Sequence, residues 1–462
     1  MSNQIVLFGG SFNPPGVHHR QITEALAARF DEVVVIPCGP RPDKVMTQFV
    51  DPCYRAAMCD MTFTGILGVT VDLSDLELGQ FTPTWELDQR FEPRGDVWHV
   101  IGTDLLEVDD SGLTVIERAW YRGKELFEQK AFVVVSRQGV DKNKVRLPKR
   151  YQWLDIEVAG SSSVIRQKFE SGDEVEGLMF PLALAYAKRY GLYRMVTPAS
   201  SYLGKIDLTH GELQYDIDAS QRAKMWIDRL KSSHQQVKPV EYIVVVGGDG
   251  VMLRKIRHHW QRRLPLIGLN AGNLGFLMNA PELFINQEKK EVDVIYRVLP
   301  MLYVEMTRVD GSVIKTYGFN DAWMERSTSQ SAWVEVTVNQ QNQMPKVICD
   351  GMLVSTAAGS TAYARSMGAT PLPAHTPAWL LVGSNVMEPI SWKHAMLSPE
   401  TEIDIINLSP EKRPTEAFVD GLSQGEVISM RARLSRTASV EMIFSASGDL
   451  ADKITKLQFG GK

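Results

Sequence analysis

Residues 5–20 read Ile5-Val6-Leu7-Phe8-Gly9-Gly10-Ser11-Phe12-Asn13-Pro14-Pro15-Gly16-Val17-His18-His19-Arg20. Four apolar residues make a short buried strand, and the paired glycines after it let the backbone approach a ligand closely. His18, His19 and Arg20 then open a helix, whose N-terminus with donor side chains suits a polyphosphate. Neighbouring helical residues point about 100° apart, so the two histidines are not expected to share a metal.

Working outward, Val33–Ile36, Val69–Leu73, Val97–Ile101 and Phe132–Val135 read as further buried strands. Gln21–Arg29, Tyr54–Met61 and Thr84–Phe91 read as helices between them. This alternation implies an α/β domain with a parallel sheet covered on both faces, and ligands belong beyond the carboxyl ends of its strands. Gly160-Ser161-Ser162-Ser163-Val164-Ile165-Arg166 reads as a loop entering a helix. Its serines can cap the helix or donate to phosphate, and Arg166 follows one turn later as a planar fork. Read alone, the same residues also fit a capped helix with a solvent-facing arginine.

These segments resemble the nicotinamide/nicotinate mononucleotide adenylyltransferases, a family with a Rossmann-like nucleotidyltransferase fold, across roughly residues 1–195. Gly9–His19 resembles the family's glycine, Phe-x-Pro and histidine signature, and Gly160–Arg166 its serine-rich Ile-Arg signature. Pro40–Lys44 with Arg55, Phe81-Thr82, Ile101–Asp104, Trp120, Val135–Gly139 and Tyr186–Tyr193 agree in order. The resemblance implies that Gly9, Gly10, Ser11, Phe12, His18, Lys44, Ser162, Ser163 and Arg166 bind ATP phosphates, with His19 also catalytic and Arg55 a further phosphate contact. It implies that Thr82, Asp104, Trp120 and Arg137 line the mononucleotide pocket. One departure stands out: the family's His-x-Gly-His is here Gly16-Val17-His18-His19, so His18 is the candidate to supply the missing donor.

The pattern restarts in the second half. Leu182–Arg189 is helical, and a linker is expected at 196–201. Then come a helix near Ala219–Ser232, a strand Tyr242–Val246, a helix near Met252–Trp260 and a strand Leu264–Leu269. From about Val292 short strands take over, among them Leu302–Arg308, Val334–Val338 and Val347–Val354. The strand at 242–246 runs into Gly247-Gly248-Asp249-Gly250. A carboxylate among phosphate-facing glycines makes sense if it accepts a proton or meets the ligand through a cation. By itself it also fits a tight turn with Asp249 capping the next helix.

With Gly268–Leu277, Asn320-Asp321 and Arg326, Asp350–Tyr363 and Asp420-Gly421, this order resembles NAD kinases across roughly residues 200–462. That family pairs an α/β domain with a β-sandwich domain. The resulting division is 1–195 nucleotidyltransferase, 196–201 linker, 202–290 kinase α/β part and 291–462 kinase β-rich part. The resemblance implies Asp249 as the base at the adenosine 2′-hydroxyl. Asn320, Asp321, Asp350, Ser360, Thr361, Ala362, Tyr363 and Asp420 would bind NAD, and Gly247, Gly248 and Gly250 would approach the transferring phosphate. Asp321 stands where the family commonly has glutamate.

Together these imply a bifunctional transferase that makes a dinucleotide from ATP and nicotinamide (or nicotinate) mononucleotide, then phosphorylates NAD with ATP and Mg²⁺. The fusion favours the nicotinamide substrate, since a nicotinate product would need amidation first. The alternative is a kinase whose N-terminal domain only binds nucleotide and regulates. A net charge of −5 over 462 residues gives no reason to expect nucleic-acid or anionic-membrane partners. Four cysteines, without metal or disulfide spacing, suit reduced thiols in the cytoplasm. No signal peptide, membrane span or protein-held metal is expected, and a homo-oligomer is.

Overall fold

The computed structural model describes residues 3–41, 50–136, 145–156, 160–194, 201–233, 239–272, 275–285, 291–447, 453–455, 457 and 459. The chain divides into two compact units, Met1–Ala199 and Ser200–Lys462.

The first unit holds six strands: β1 Gln4–Gly10, β2 Glu32–Pro37, β3 Val69–Val71, β4 Asp96–Gly102, β5 Ala131–Val135 and β6 Arg150–Leu154. They form one sheet in the order β3-β2-β1-β4-β5-β6, and every pairing is parallel. Side-chain alternation feeds two cores. Val6 and Phe8 of β1 pack on one face with Ile22 and Leu26 of α1 (Val17–Ala27) and Cys59 and Phe63 of α2 (Pro52–Phe63). Ile5 and Leu7 pack on the other face with Leu87 and Phe91 of the helix Thr84–Phe91. The strand order reverses between β1 and β4, the place where such sheets open a crevice. The edge strand β6 has no counterpart among the strands expected from sequence: Arg150, Tyr151 and Gln152 are exposed, so it carries no apolar run.

In the second unit, β7 (Ser201–Ile206) begins inside the stretch expected as linker, and it pairs with β11 (Val292–Arg308). β8 (Gly211–Gln214), β9 (Tyr242–Gly247) and β10 (Leu266–Asn270) are parallel neighbours. The helix Gln221–Ser233 covers them through Trp226, Ile227 and Leu230. The remaining strands are β12 Val313–Gly318, β13 Asp321–Arg326, β14 Ala332–Val338, β15 Gln341–Cys349, β16 Gly351–Ser355, β17 Trp379–Ser384, β18 His394–Leu397, β19 Glu402–Asn407, β20 Thr415–Val419 and β21 Leu422–Ser445.

All fifteen strands form one connected sheet. Residues of β15 and β17, far apart in strand order, bury side chains in the same core with β11, β14, β19 and β21, so the sheet folds over on itself as a sandwich. β11 and the 24-residue β21 run antiparallel from Val294↔Ser445 to Arg308↔Val427, and β21 also pairs with β10. The expected boundary at residue 290 is therefore no break in packing, because both long strands serve the α/β part and the sandwich. The stretch expected as one strand, Val347–Val354, is two, meeting at Asp350.

Candidate active sites

At the first site, the loop from β1 to α1 is held through its carbonyls. Ser11 O accepts from Arg55 at 2.5 Å, Asn13 O from Arg166 at 2.6 Å, and Pro14 O from Ser162 at 2.8 Å. The Tyr193 hydroxyl donates to Asn13 Oδ1 at 2.7 Å. The two glycine and serine segments, about 150 residues apart in sequence, thus meet at one place, as Ser162 and Arg166 show. Arg166 also donates to Ser163 at 3.2 Å. Phe12 adopts φ 41° and is buried, its ring against Phe8, Phe63 and His19. Arg55 is 1% exposed and also donates to Cys38 O, so the expected phosphate contact is instead a support of the loop.

Both histidines lie in the first turn of α1. The Gly16 N–H donates to His19 Nδ1 at 3.0 Å, which makes Nδ1 the acceptor and leaves the proton on Nε2. The His18 and His19 rings lie 3.9 Å apart. A Cβ built on Gly16 would stand 2.6 Å from the His18 ring, so that imidazole occupies the room a side chain at 16 would need.

Next to this loop is a cavity of about 530 Å³ at the carboxyl ends of β1, β2 and β4. Gly9, Gly10, Thr82 and Trp120 line it, with Cys38, Arg41, Asp75 and His99, which sequence reasoning did not single out. Asp75 is 1% exposed and accepts from the Thr82 amide at 2.9 Å and its hydroxyl at 2.5 Å. His99 is held by buried Asp88 at 2.8 Å, and Lys130 pairs with the same carboxylate. Burial pushes the Cys38 thiol up. Asp104 lies exposed in the short turn Thr103–Leu105 and is not among the residues lining this cavity. Lys44 and Arg137 lie outside the described residues.

At the second site, Gly248 caps the helix Asp249–His259, so the helix starts three residues earlier than its periodicity suggested. Asp249 does not cap its own helix. Its Oδ2 and Oδ1 accept the amides of Phe276 and Leu277 at 2.8 and 2.9 Å. Burial pushes the carboxyl up; the two amides and the Lys453 charge oppose it. A Cβ on Gly247 would meet Val251 at 2.6 Å, one on Gly250 would come no nearer than 3.8 Å to Arg254, and one on Gly248 would meet nothing. Open space therefore lies above Gly248.

A second cluster of the same unit gathers at the start of β13. Asp420 (φ 48°) and Gly421 (φ 78°) form the two-residue turn between β20 and β21, the left-handed pair that a type I′ hairpin requires. The Asp420 carboxylate accepts the amides of Phe319, Asn320 and Asp321. It is thus occupied in shaping the loop, where a direct contact with dinucleotide was expected. Asn320 Oδ1 is buried and accepts no hydrogen bond among the described residues. Burial and the Asp420 charge push Asp321 up to about 7.

A Cβ on Gly359 would stand 2.1 Å from Asn320 O, so the 358–361 turn presses directly on this loop. Ser360 is fully buried, bonding Ala357 O and the Leu372 amide, a second departure from its expected ligand role. Thr361 is half-buried, with its hydroxyl near Ala358 O, while Ala362 and Tyr363 are exposed. The Tyr363 ring lies 4.9 Å from Trp323, which stacks on Phe418. Asp350 does not join them. It pairs with Arg326 at 2.6 Å and with Asn385 at 2.7 Å. That is the opposite end of β13, roughly 16 Å from Asp321 at about 3.3 Å per residue. Arg257, missed in the sequence, reaches from the Asp249 helix to Asp420 O at 3.1 Å. Among the described residues, no three His, Cys, Asp or Glu side chains converge as a metal site. Nor is any described helix long and apolar enough to cross a membrane.

Two family descriptions match successive parts of the chain, the second beginning inside the first unit. Residues 7–168 match the cytidylyltransferase-like description, and residues 185–292 match the ATP-NAD kinase N-terminal domain. The NAD kinase of Rickettsia bellii is 29% identical over 261 residues, 56% of this chain and 99% of its own. That of Rickettsia peacockii is 31% identical over 240 residues, 51% of this chain and 92% of its own. Among solved structures, yeast NADH kinase complexed with NADH covers 55% of this chain and 88% of its own, at 17% identity and a TM-score of 0.46. With relatives of that identity matched over nearly their whole length, the chain belongs to the NAD kinase family and carries a cytidylyltransferase-like domain ahead of the kinase part.

Proposed function

We propose that the chain performs two successive transfers from ATP: an adenylyl group to a pyridine mononucleotide in the first unit, and a phosphoryl group to NAD in the second. The observation that carries this is the repeated device: in each unit a glycine turn leads from a buried strand into a helix whose first turn holds the reactive side chain, His19 or Asp249.

In the first transfer an oxygen of the mononucleotide 5′-phosphate attacks the α-phosphorus of ATP. The bond to the β-phosphate bridging oxygen breaks, and pyrophosphate leaves. His19, fixed with its proton on Nε2, donates to the charge that develops on the phosphate oxygens. His18, Ser163, Arg166 and the glycines at 9 and 10 surround the polyphosphate, and the 530 Å³ cavity takes the mononucleotide. Asp104, in the turn Thr103–Leu105, is a further candidate contact outside the cavity lining. Asp75 opposes a second carboxylate in that cavity. A kcat/KM for nicotinamide mononucleotide at least about tenfold above that for nicotinate mononucleotide is expected. Equal values would remove Asp75 from this role.

In the second transfer Asp249 takes the proton of the 2′-hydroxyl as its oxygen bonds the γ-phosphorus. The bond to the β-phosphate oxygen breaks, and ADP leaves. The upward push on Asp249 brings its basicity nearer to what a general base needs at neutral pH. Asn320 Oδ1, which accepts no hydrogen bond among the described residues, receives the adenosine side of NAD together with Asp321 and Tyr363. A Mg²⁺ ion carried by ATP would screen the phosphate charge; no three His, Cys, Asp or Glu side chains among the described residues converge to hold it on their own.

ATP labelled at either phosphate tests both steps. Label from the α-position is expected in the dinucleotide, and label from the γ-position in the 2′-phosphate. The second reading, a kinase with a regulatory nucleotide-binding domain, is favoured by one observation: Ser162 and Arg166 are engaged with their own loop. It predicts that α-label never reaches a dinucleotide.

A further inference from the structure

The Asp249 carboxylate is connected to a cation through a single peptide group. The Phe276 N–H donates to Asp249 Oδ2 at 2.8 Å. The carbonyl of that same peptide, Gly275 O, accepts from Lys453 Nζ at 2.9 Å. Lys453 also donates to Met278 O, so the ammonium grips both ends of the loop whose amides hold the carboxylate. A peptide placed between an ammonium on its oxygen and a carboxylate on its N–H is polarised in both directions, and each bond strengthens the other.

We propose that Lys453, from the C-terminal segment, is a positioning residue of the kinase site that holds Asp249 ionised and aimed through the Gly275–Phe276 peptide. The proposal rests on the reading of Asp249 as the kinase base. Lys453 is half-buried; burial pushes its ammonium down, and the Asp249 charge opposes that only in part. No other charged side chain among the described residues acts on Asp249 as Lys453 does. On the Asp249 helix, Arg254 and Lys255 pair with Asp216, and Arg257 bonds Asp420 O. The loop 275–278 brings no charged residue of its own. Through this contact, the loop that holds Asp249 is tied to a residue 178 positions further along the sequence.

The test is the pH profile of NAD phosphorylation by the full chain with Lys453→Met, Lys453→Arg and Lys453→Gln, alongside Asp249→Asn. Asp249 acts as a base when ionised, so kcat/KM rises as pH climbs through its pKa. Removing a nearby cation raises that pKa. Lys453→Met should move the acid limb to higher pH by about one unit or more and lower the rate about tenfold at pH values on that limb, while Lys453→Arg keeps the limb in place. Glutamine keeps N–H donors for the two carbonyls but no charge. Lys453→Gln should therefore shift like Lys453→Met if the ammonium matters, and a parent-like limb in Lys453→Gln overturns the proposal. It is equally overturned if every Lys453 variant loses rate with an unmoved limb. If Asp249→Asn retained the parent rate, the kinase reading itself would fail instead.

Discussion

Gly16 and His18 exchange places relative to the adenylyltransferase signature, and the geometry ties the two changes together. The His18 ring fills the space over Gly16, 2.6 Å from where a Cβ would be. Gly16→His alone should clash and lose most adenylyl transfer, and His18→Gly alone should lose a phosphate donor. The double exchange should recover activity beyond the product of the two single effects. A double-mutant cycle on kcat/KM measures this coupling, and strict additivity would show the two positions to be independent. Asp321 gives a second residue-level expectation. Its folded pKa, about 7, lies above the unfolded value, so the folded state binds the proton more tightly. The stability linked to that proton is fully present below about pH 4 and is lost as pH rises through 7. Asp321→Asn removes the loss. It should stabilise the chain at pH 8 by up to about 4 kcal/mol, with little effect at pH 4, while weakening NAD binding. Denaturant melts at the two pH values check the sign. The chemical residue types at both sites were legible in the motifs. What the motifs did not reveal is which side chains point inward: Arg55, Ser360 and Asp420 support loops because they are buried, and burial is set by partners distant in sequence.

At the scale of elements, most strands with apolar runs were readable to within a residue or two, but β11 begins ten residues before the expected Leu302, and the helices at Val17 and Asp249 begin four and three residues earlier than their periodicity suggested. The polar edge strand β6 and the break at Asp350 were not readable. An exposed strand lacks the apolar run, and two strands meeting at a corner share one. The two-residue turn at Asp420-Gly421 shows how an element acts at a site: its left-handed pair aims one carboxylate at three amides of the 319–321 loop. The 358–361 turn presses on that loop from the other side. Gly359→Ala would place a methyl 2.1 Å from Asn320 O. A cost of roughly 1–3 kcal/mol is expected, with KM for NAD raised severalfold and adenylyl transfer unchanged. Unchanged kinase kinetics would mean that the loop yields freely. Arg257 joins the helix bearing Asp249 to this turn, so the two clusters of the kinase unit are mechanically connected.

Across the whole molecule, each unit closes its own core, one around a six-stranded parallel sheet and the other around a fifteen-stranded sheet. The restart of strand–helix alternation after residue 201 pointed to a second unit, and the change to strand-rich sequence from about Val292 to its large sheet. The sharing of β11 and β21 between the two parts of the kinase unit was hidden, because strand pairing across more than 100 residues leaves no local pattern. Two cores with separate reactive helices predict two activities that can be removed one at a time. The most direct measurement is a time course of the full chain with nicotinamide mononucleotide, ATP and Mg²⁺, following NAD and NADP. The parent should accumulate NAD and then NADP; Asp249→Asn should stop at NAD; His19→Ala should form neither yet still phosphorylate added NAD. If the parent phosphorylates added NAD but never forms a dinucleotide from the mononucleotide, the two-step account is wrong.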